Sequence, residues 1–439
     1  MKAYARYLSV ALAAFVAAMA HGQTPTPVPN DQDISDSYIY LLSRLLVLNQ
    51  EQADFSNGFQ WNQLVHRKVG EVDWPNPNLD VAYSEAWVAI DEKSCALITV
   101  PKVKDRYYTV QFLNGWGETL ANINERVYPQ RPDGEFAVCL KGAVVQLPAT
   151  TQRVDVSAKV LRVLSRVELG ATPDEAVVLQ KKFNIRTSGH PAAPEVPKTV
   201  RFDIEKLPGV EAFDSATVAL DSAADINPGM DRLQASTRAV ARAIKDASVR
   251  QHVDQVIRQQ AIPAIYKASP TLGDGTVKDG WALPTTIGVY GSNWLLRTLV
   301  NLGGIWANSY EEVIYYKAFI DPSGKPLNGD HSYALRFEKE QLPTLYATYF
   351  WSVIAVDSGH RRVLPNPLKR YLLSNFSKLS YGKDGSLTLY FGAAKPSGAP
   401  DGNWIPTPKG TGYSLTFRFY RPKGAVADRS YFPPALKEL

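Results

Sequence analysis

"YSLTFRFY", Tyr413–Tyr420, alternates without a break. Leu415, Phe417 and Phe419 share one face, and Thr416, Arg418 and Tyr420 the other, because successive strand side chains point to opposite sides. Two upstream stretches keep the same period. "SLTLYF" sets Leu387, Leu389 and Phe391 against Ser386, Thr388 and Tyr390. "YALRF" sets Tyr333, Leu335 and Phe337 against Ala334, Arg336 and the Glu338 that follows. "ATYFWSVIAV", residues 347–356, is apolar on both faces, the pattern of a strand covered on both sides. The turn-rich segments "DPSGKPLNGD", "GKDG" and "PKGTG" separate these runs. Short strands with two covered layers predict an antiparallel sandwich of jelly-roll type for the last third.

Working back, the first half is also strand-rich. "DVAYSEAWVAI", "CALITV", "RYYTVQFL", "EFAVCL" and "AKVLRVLSRVEL" read as strands. A helix is expected over "SDSYIYLLSRLLVLNQEQ", capped by Ser35 or Asp36, with Leu41, Leu42, Leu45 and Leu48 as its stripe. "TPDEAVVLQKKF" is a shorter helix with Thr172 as N-cap and Pro173 at its first position. From Pro228 to Tyr266 the period is helical, and Gly273–Gly280 breaks it. The expected class is mainly β with helices (α+β). Two β-rich domains, residues 38–205 and 286–425, are joined by a helical region, 206–285. The length of 439 residues suits two or three domains at about 150 residues each.

The start of the chain has the form of a secretory signal over residues 1–22. Lys2 and Arg6 precede a short apolar run, Leu8–Ala20, with cleavage expected near Ala20 to Gly22. "QTPTPVPN" follows as an extended leader. A periplasmic or secreted location follows, with no transmembrane segment once the signal is removed. The net charge of +5 includes Lys2 and Arg6, and a mature chain at +3 has no basic run of the kind nucleic acid requires. In an oxidising compartment the two cysteines, Cys95 and Cys139, invite a disulfide. Two buried free thiols are the alternative.

No phosphate loop, dinucleotide fingerprint, nucleophile elbow or H-E-x-x-H is present, and the six histidines lack metal-ligand spacing. No metal and no cofactor are therefore expected. Ser380 and Lys383 fit S-x-x-K but flank a turn, not a helix. Polar-aromatic clusters at strand ends remain. Asn78, Asp80, Tyr83 and Ser84 form one, and Arg106, Tyr107, Gln111, Asn114 and Trp116 a second. Trp351, Ser352, Asn366, Arg370 and Tyr371 form a third, and Asn403, Trp404, Arg418 and Tyr420 a fourth. Aromatic faces beside amides and charges suit stacking on sugar rings and bonding to hydroxyls. The same residues also serve ordinary turns. Asp80, Tyr83 and Glu85 are the candidate acid/base groups. Glu311 and Glu312 are expected in the first turn of a helix after Asn308 or Ser309.

These clusters carry a resemblance. Asn78–Ser84 fits N-x-D-T-x-Y-S with Val81 in place of the threonine. "DRYYTVQF" and Arg166 in "LSRVELGATPDEAVVLQ" continue it, and "NSYEEVIYY", "YALRF", "FWSV", "NPLKRY", "DGSLTLYF" and "NWIPTPKGTGYSLTFRFY" follow in order. Over residues 38–425 the chain resembles the bacterial family that pairs domain of unknown function 1254 with domain of unknown function 1214. The resemblance implies two β-rich domains, the second a jelly-roll sandwich, and assigns no reaction. Three readings follow. The first is an exported protein that binds or processes a carbohydrate or cell-envelope ligand. The second is a metal-independent periplasmic hydrolase of an amide, ester or glycosidic bond. The third is a structural protein, a homo-oligomer using its sheet faces.

Overall fold

The computed structural model of the chain describes residues 29–71 and 74–439. The expected signal segment and most of the proline-rich leader lie outside these residues. The first described element is a long helix, α1 (Asp31–Ser56). Asn30 sets its start: Asn30 Oδ1 accepts from Asp33 N at 2.9 Å, and Asp31 and Asp33 put negative charge in the first turn. Ser35 and Asp36, expected as caps, therefore lie inside the helix. From Ser37 to Leu48 every residue of α1 is buried, so the helix is packed on all sides.

The N-terminal domain contains β1 (Val65–His66), β2 (Val81–Ala89), β3 (Ala96–Val100), β4 (Tyr108–Leu113), β5 (Thr119–Ile123) and β6 (Gly134–Leu140). It continues with β7 (Gln152–Val156), β8 (Val160–Glu168), α2 (Pro173–Gln180) and β9 (Asn184–Thr187). Two sheets, ordered β1-β2-β8-β4-β5 and β7-β6-β3-β9, enclose a core that includes Ala86, Val88, Ile98, Phe112, Phe136 and Val163. Pairing is antiparallel except between β6 and β7. The β3–β6 register sets Ala96 opposite Val138, so Cys95 and Cys139 meet one step further on. They are bonded, with Cα atoms 4.4 Å apart. Thr172 is the N-cap residue of α2, as expected, but its side chain makes no capping bond. Its hydroxyl donates to Glu175 Oε2 and accepts from Arg106, while Pro173 holds the first helical position.

A helical layer follows: α3 (Glu211–Asp214), α4 (Ala216–Asp221), α5 (Met230–Ala243), α6 (Ala247–Val256), a π-helical turn at Ile257–Ala261, and α7 (Ile262–Ala268). Phe213, Val240, Val253 and Ile257 close over Leu41 and Leu45 of α1. The first helix of the chain is thus the axis of the connecting region.

The C-terminal domain begins inside the expected break, with β10 (Thr276–Lys278) and β11 (Trp281–Leu283), then α8 (Trp294–Gly304) and β12 (Val313–Ala318). The rest are β13 (Tyr333–Phe337), β14 (Trp351–Asp357), β15 (Leu372–Ser374), β16 (Leu387–Gly392), β17 (Trp404–Pro406), β18 (Tyr413–Tyr420) and β19 (Lys437–Glu438). Sheets ordered β10-β11-β12-β18-β14-β15 and β17-β16-β13-β19 face each other across a core of Leu335, Phe337, Leu389, Leu415, Phe417 and Phe419. The early strand β12 and the late strand β18 are neighbours, and the chain crosses repeatedly between sheets, giving a jelly-roll-like sandwich. β16 and β17 pair in parallel. Glu311 and Glu312 do not start a helix. They form the turn into β12, whose "VIYYKA" has the period of a strand, and Glu312 accepts from Tyr107 and Asn124 across the domain boundary.

Both large sheets are buried on their outer faces as well. Val81, Tyr83, Trp87 and Leu164 of the first meet Val313 and Tyr420 of the second, with Trp306 and Phe350 between. The polar face of "YSLTFRFY" therefore looks into the molecule: Thr416, Arg418 and Tyr420 are all buried.

Candidate functional site

The loop Trp74–Asp80 lies across the outer face of the C-terminal sheet. Asn76 Oδ1 accepts from Thr416 Oγ1 at 3.1 Å, and the carbonyls of Asn76 and Pro77 accept from Arg418 Nη2 at 3.2 Å each. Asn78 Nδ2 donates to the Tyr420 hydroxyl, and Ser352 Oγ donates to Asp80 Oδ2. Asn78 also closes its own turn, Oδ1 accepting from Asp80 N at 2.8 Å. Asn76 has φ 51°, a left-handed conformation that asparagine tolerates better than most residues.

Beneath this loop lies a cavity of about 670 Å³, counting its open mouth. Trp74, Tyr83 and Trp306 form an aromatic wall, and Leu299, Val300 and Ile287 an apolar one. Asn76, Asn78, Arg166, Asn308, Tyr315, Lys317, Thr416 and Arg418 supply polar atoms. Among the described residues the lining has three cationic side chains and no carboxylate.

Strand alternation explains the cationic set. On β8 the inward side chains Leu161, Val163 and Val167 fill the sandwich core, so Arg166 faces out, opposite Tyr83 of β2 and Thr109 of β4. On β12, Ile314 and Tyr316 face the core, so Tyr315 and Lys317 face the cavity. Register then places Tyr315 opposite Arg418 and Lys317 opposite Thr416. Gly303 and Gly304 bring the end of α8 to the same wall, and Trp306 follows at φ 57°. A bulky residue in that region is strained, and such strain concentrates at functional sites. Trp306 is held by its carbonyl, which accepts from Arg166 Nη2 at 2.8 Å.

Arg166 meets neutral acceptors only: Gln111 Oε1 at 2.6 Å, Asn308 Oδ1 at 3.0 Å and the Trp306 carbonyl. Its Nε is buried without a partner, as is Arg418 Nη1. Lys317 makes no hydrogen bond or ion pair among the described residues. Its Nζ lies over the Phe319 ring, 5.4 Å from the centroid. Burial, and then repulsion from Arg361 and Arg418, pull the Lys317 ammonium down to about 7. The carbonyl end of α8 offers roughly half a negative charge, which does not balance three cations. Asp80 lies behind the wall, where burial pushes its carboxyl up to about 6 against the pull of Arg418 and Ser352. The arrangement can accept an anion, with an apolar and aromatic flank for the rest of the ligand.

Of the residues singled out in the sequence, Asn78, Tyr83 and Arg418 meet in the cavity, and Gln111 stands behind it holding Arg166. The others do not. Ser84 points to the opposite side of β2 and bonds His66 Nδ1 at 2.7 Å. Glu85 is paired to Arg162 and to Arg67 at 2.9 Å. Arg106 binds the carbonyls of Glu168 and Leu169, fixing the entry to α2. Tyr107 donates to Glu312 Oε2 at 2.9 Å. Trp351 stacks on Phe417 in the C-terminal core. Asn366 closes a turn with Arg370 N, Arg370 binds the Trp404 carbonyl, and Trp404 Nε1 donates to the Gly392 carbonyl. Neither Tyr371 nor this cluster reaches the cavity. The sequence reading passed over Asn76, Trp306, Asn308, Tyr315 and Lys317. The lysine in "VIYYKA" had a signal, a lone cation in a strand with no exposed face. Among the described residues no group of three or more His, Cys, Asp or Glu could hold a metal ion, and no helix is long and apolar enough to cross a membrane.

Two family models match the chain. One, described as a protein of unknown function (DUF1254), covers residues 61–187; the other, a protein of unknown function (DUF1214), covers residues 312–424. The cavity draws Asn78, Tyr83 and Arg166 from the first and Tyr315, Lys317 and Arg418 from the second. No curated protein matches the chain. The crystal structure of the VPA0106 protein from Vibrio parahaemolyticus is similar, with TM-score 0.62 at 19% identity over 94% of this chain and 100% of that one. An uncharacterized protein from Burkholderia cenocepacia aligns with TM-score 0.46 at 12% identity, over 93% of this chain and 94% of that one. The Vibrio likeness is one of fold.

Proposed function

The chain belongs to the two-domain family that pairs DUF1254 with DUF1214, and from that premise we propose that it is an exported binding protein for a small organic anion. The ligand occupies the cavity between the domains. One observation carries this reading: Arg418 Nη1 and Lys317 Nζ border a carboxylate-free cavity and have no partner within the described chain. Buried cations without counter-ions are unfavourable, so a carboxylate or phosphate supplied by a ligand is the natural complement. The aromatic and apolar walls suit a ligand with a hydrophobic or ring-shaped body. This narrows the carbohydrate and cell-envelope reading to acidic ligands, because a neutral sugar leaves both cations unsatisfied. Neither Asp80 nor Glu85 lines the cavity, so the hydrolase reading has no carboxylate pair there.

Thermal unfolding of the mature protein against benzoate, glucuronate and phosphate, with glucose as neutral control, tests the reading. A ligand at 100 times its dissociation constant stabilises by about 2.7 kcal/mol. At least one organic anion is expected to reach that range, glucose to have no effect, and Arg418→Gln to remove the response. An anion response equal to that of matched sodium chloride, or one that survives Arg418→Gln, overturns it. Export is tested separately by N-terminal sequencing of the periplasmic fraction, with a start between residues 21 and 23 expected.

A further inference from the structure

Lys317 stands at a junction. It lines the anion cavity and also a second cavity, and Leu272, Leu299 and Gly303 border both. From the first it is approached by Arg418 and Tyr315, and from the second by Arg361, Tyr266 and Asp357. Of these groups only Asp357 is a carboxylate, and it is already engaged. Its Oδ1 accepts from the backbone N–H groups of Gly359 and His360, and its Oδ2 from that of Arg362. Lys317 therefore has cations around it, apolar walls beside it and no bound acceptor. These are the conditions that turn an ammonium into a nucleophilic amine.

We propose that Lys317 is an imine-forming lysine, and that the anion taken by the cavity is an oxo acid: its carboxylate lies on Arg418 and its carbonyl carbon is open to Lys317 Nζ. The inference rests on the anion-binding reading and names its ligand class. In the first step the neutral amine attacks the carbonyl carbon, an N–C bond forms, and the carbonyl electron pair moves to oxygen, which takes a proton. The carbinolamine hydroxyl then takes a proton from solvent at the open mouth and leaves as water while the nitrogen lone pair forms C=N, leaving a protonated imine. No oxidant or reductant is needed. The iminium withdraws electrons from the adjacent carbon, which prepares the bound acid for loss of a proton or of carbon dioxide there. Burial and the two arginines also leave the amine about half neutral near pH 7, so attack needs no separate base.

Trapping tests the inference with the full mature chain. Glyoxylate, acetoacetate and levulinate, which differ in the spacing of carboxylate and carbonyl, are each added with sodium cyanoborohydride. The reductant delivers hydride to the iminium carbon and fixes the adduct. Peptide mass mapping is expected to place one adduct on Lys317, saturable in oxo acid and at least tenfold faster than on any other lysine. Acetone, which has the carbonyl but no carboxylate, should give no preference. Lys317→Arg keeps a charge at this position and removes the amine, so it should lose the adduct. Labelling spread evenly over the lysines overturns the proposal. If benzoate still stabilises the protein in that case, only the imine chemistry fails. If neither adduct nor anion response is seen, the cavity reading fails with it.

Discussion

Arg162 and Arg166 stand four residues apart on the same outer face of β8, and the protein treats them in opposite ways. Arg162 is fully buried and compensated: Asp54 Oδ2 lies 3.3 Å from Nη1, Glu85 pairs with Nη2, and the rings of Trp87 and Phe59 lie 5.1 and 5.4 Å from its guanidinium carbon. Arg67 Nε pairs with the other Glu85 oxygen and Gln50 Nε2 donates to Asp54 Oδ1, so each carboxylate oxygen is engaged and the cluster fastens α1 to the sheet, although Arg162 Nε and Nη1 make no hydrogen bond. Arg166 is as deep but meets neutral acceptors, and with Arg418 and Lys317 it lines a cavity that has no carboxylate in its wall, Asp80 lying behind it. One region uses its charges on itself. The other keeps a field for something outside the chain, which is how binding sites differ from structural ion clusters.

The largest expected effect comes from breaking the closed cluster. Glu85→Ala leaves Arg162 and Arg67 short of a buried partner, and loss of one member of such a cluster costs about 3–5 kcal/mol. Urea unfolding should show this as a lower midpoint with an unchanged slope, while anion stabilisation per bound ligand is kept. A loss below about 1 kcal/mol would mean that the two sites differ less than their partners suggest.

The open site should show its uncompensated charge as a dependence on pH. Lys317 is held near 7 in the folded chain and is close to its ordinary 10.5 once unfolded. Between those values the unfolded state binds one more proton, so stability rises with pH and is lost as pH falls through 7. From pH 7 to 9 the gain is about 2 kcal/mol for one such group. Lys317→Met should flatten this rise, with the wild-type and variant curves drawing together as pH approaches the ordinary 10.5 of lysine. Parallel pH profiles for wild type and variant would show that the lysine finds a counter-charge in solution.

Converting one region toward the other gives a smaller effect. Asn308 Oδ1 already accepts from Arg166 Nη1 at 3.0 Å, so Asn308→Asp introduces a carboxylate with little change of shape. Anion affinity should fall at least tenfold, about 1.4 kcal/mol, by titration calorimetry. Unchanged affinity would remove Arg166 from the anion site and leave Arg418 and Lys317 alone.

The comparison also explains what the sequence made legible. Period-two alternation placed β13, β16 and β18, and strand-like apolar runs placed β2, β4, β8 and β14, because both record burial, and burial there is simple on the core side. The same alternation misled on the outer side. Thr416, Arg418 and Tyr420 read as a polar face, yet they are covered by Trp74–Asp80, a loop more than 330 residues away in the chain. Asn78, Tyr83 and Arg418 were found because polar and aromatic residues beside apolar strands stand out locally. Trp351 and Trp404 stand out for the same reason and are structural, since sequence cannot show which rings face a cavity. Lys317 was missed because Glu311 and Glu312 read as the first turn of a helix, which hid the strand period of "VIYYKA". Only the closure of two domains over it makes it unusual.

Asp80 gives the smallest and sharpest test of how the domains close. It belongs to the N-terminal loop, yet its carboxyl is met by Ser352 of β14 and lies in the field of Arg418, and burial raises it to about 6. The unfolded chain releases that proton near its ordinary 3.8, so the folded state binds one more proton between the two values. Stability should therefore be fullest below pH 4 with respect to this group and fall as pH rises through 6, by about 1 kcal/mol between pH 5 and 6. Asp80→Asn should abolish that fall, and Ser352→Ala should enlarge it, because the hydroxyl favours the charged form. The sign is opposite to that expected for Lys317, so one pH series read by urea unfolding separates the two groups. A decline that persists in Asp80→Asn would assign the titration elsewhere, Glu51 of α1 being the first alternative, since burial raises its carboxyl to about 7.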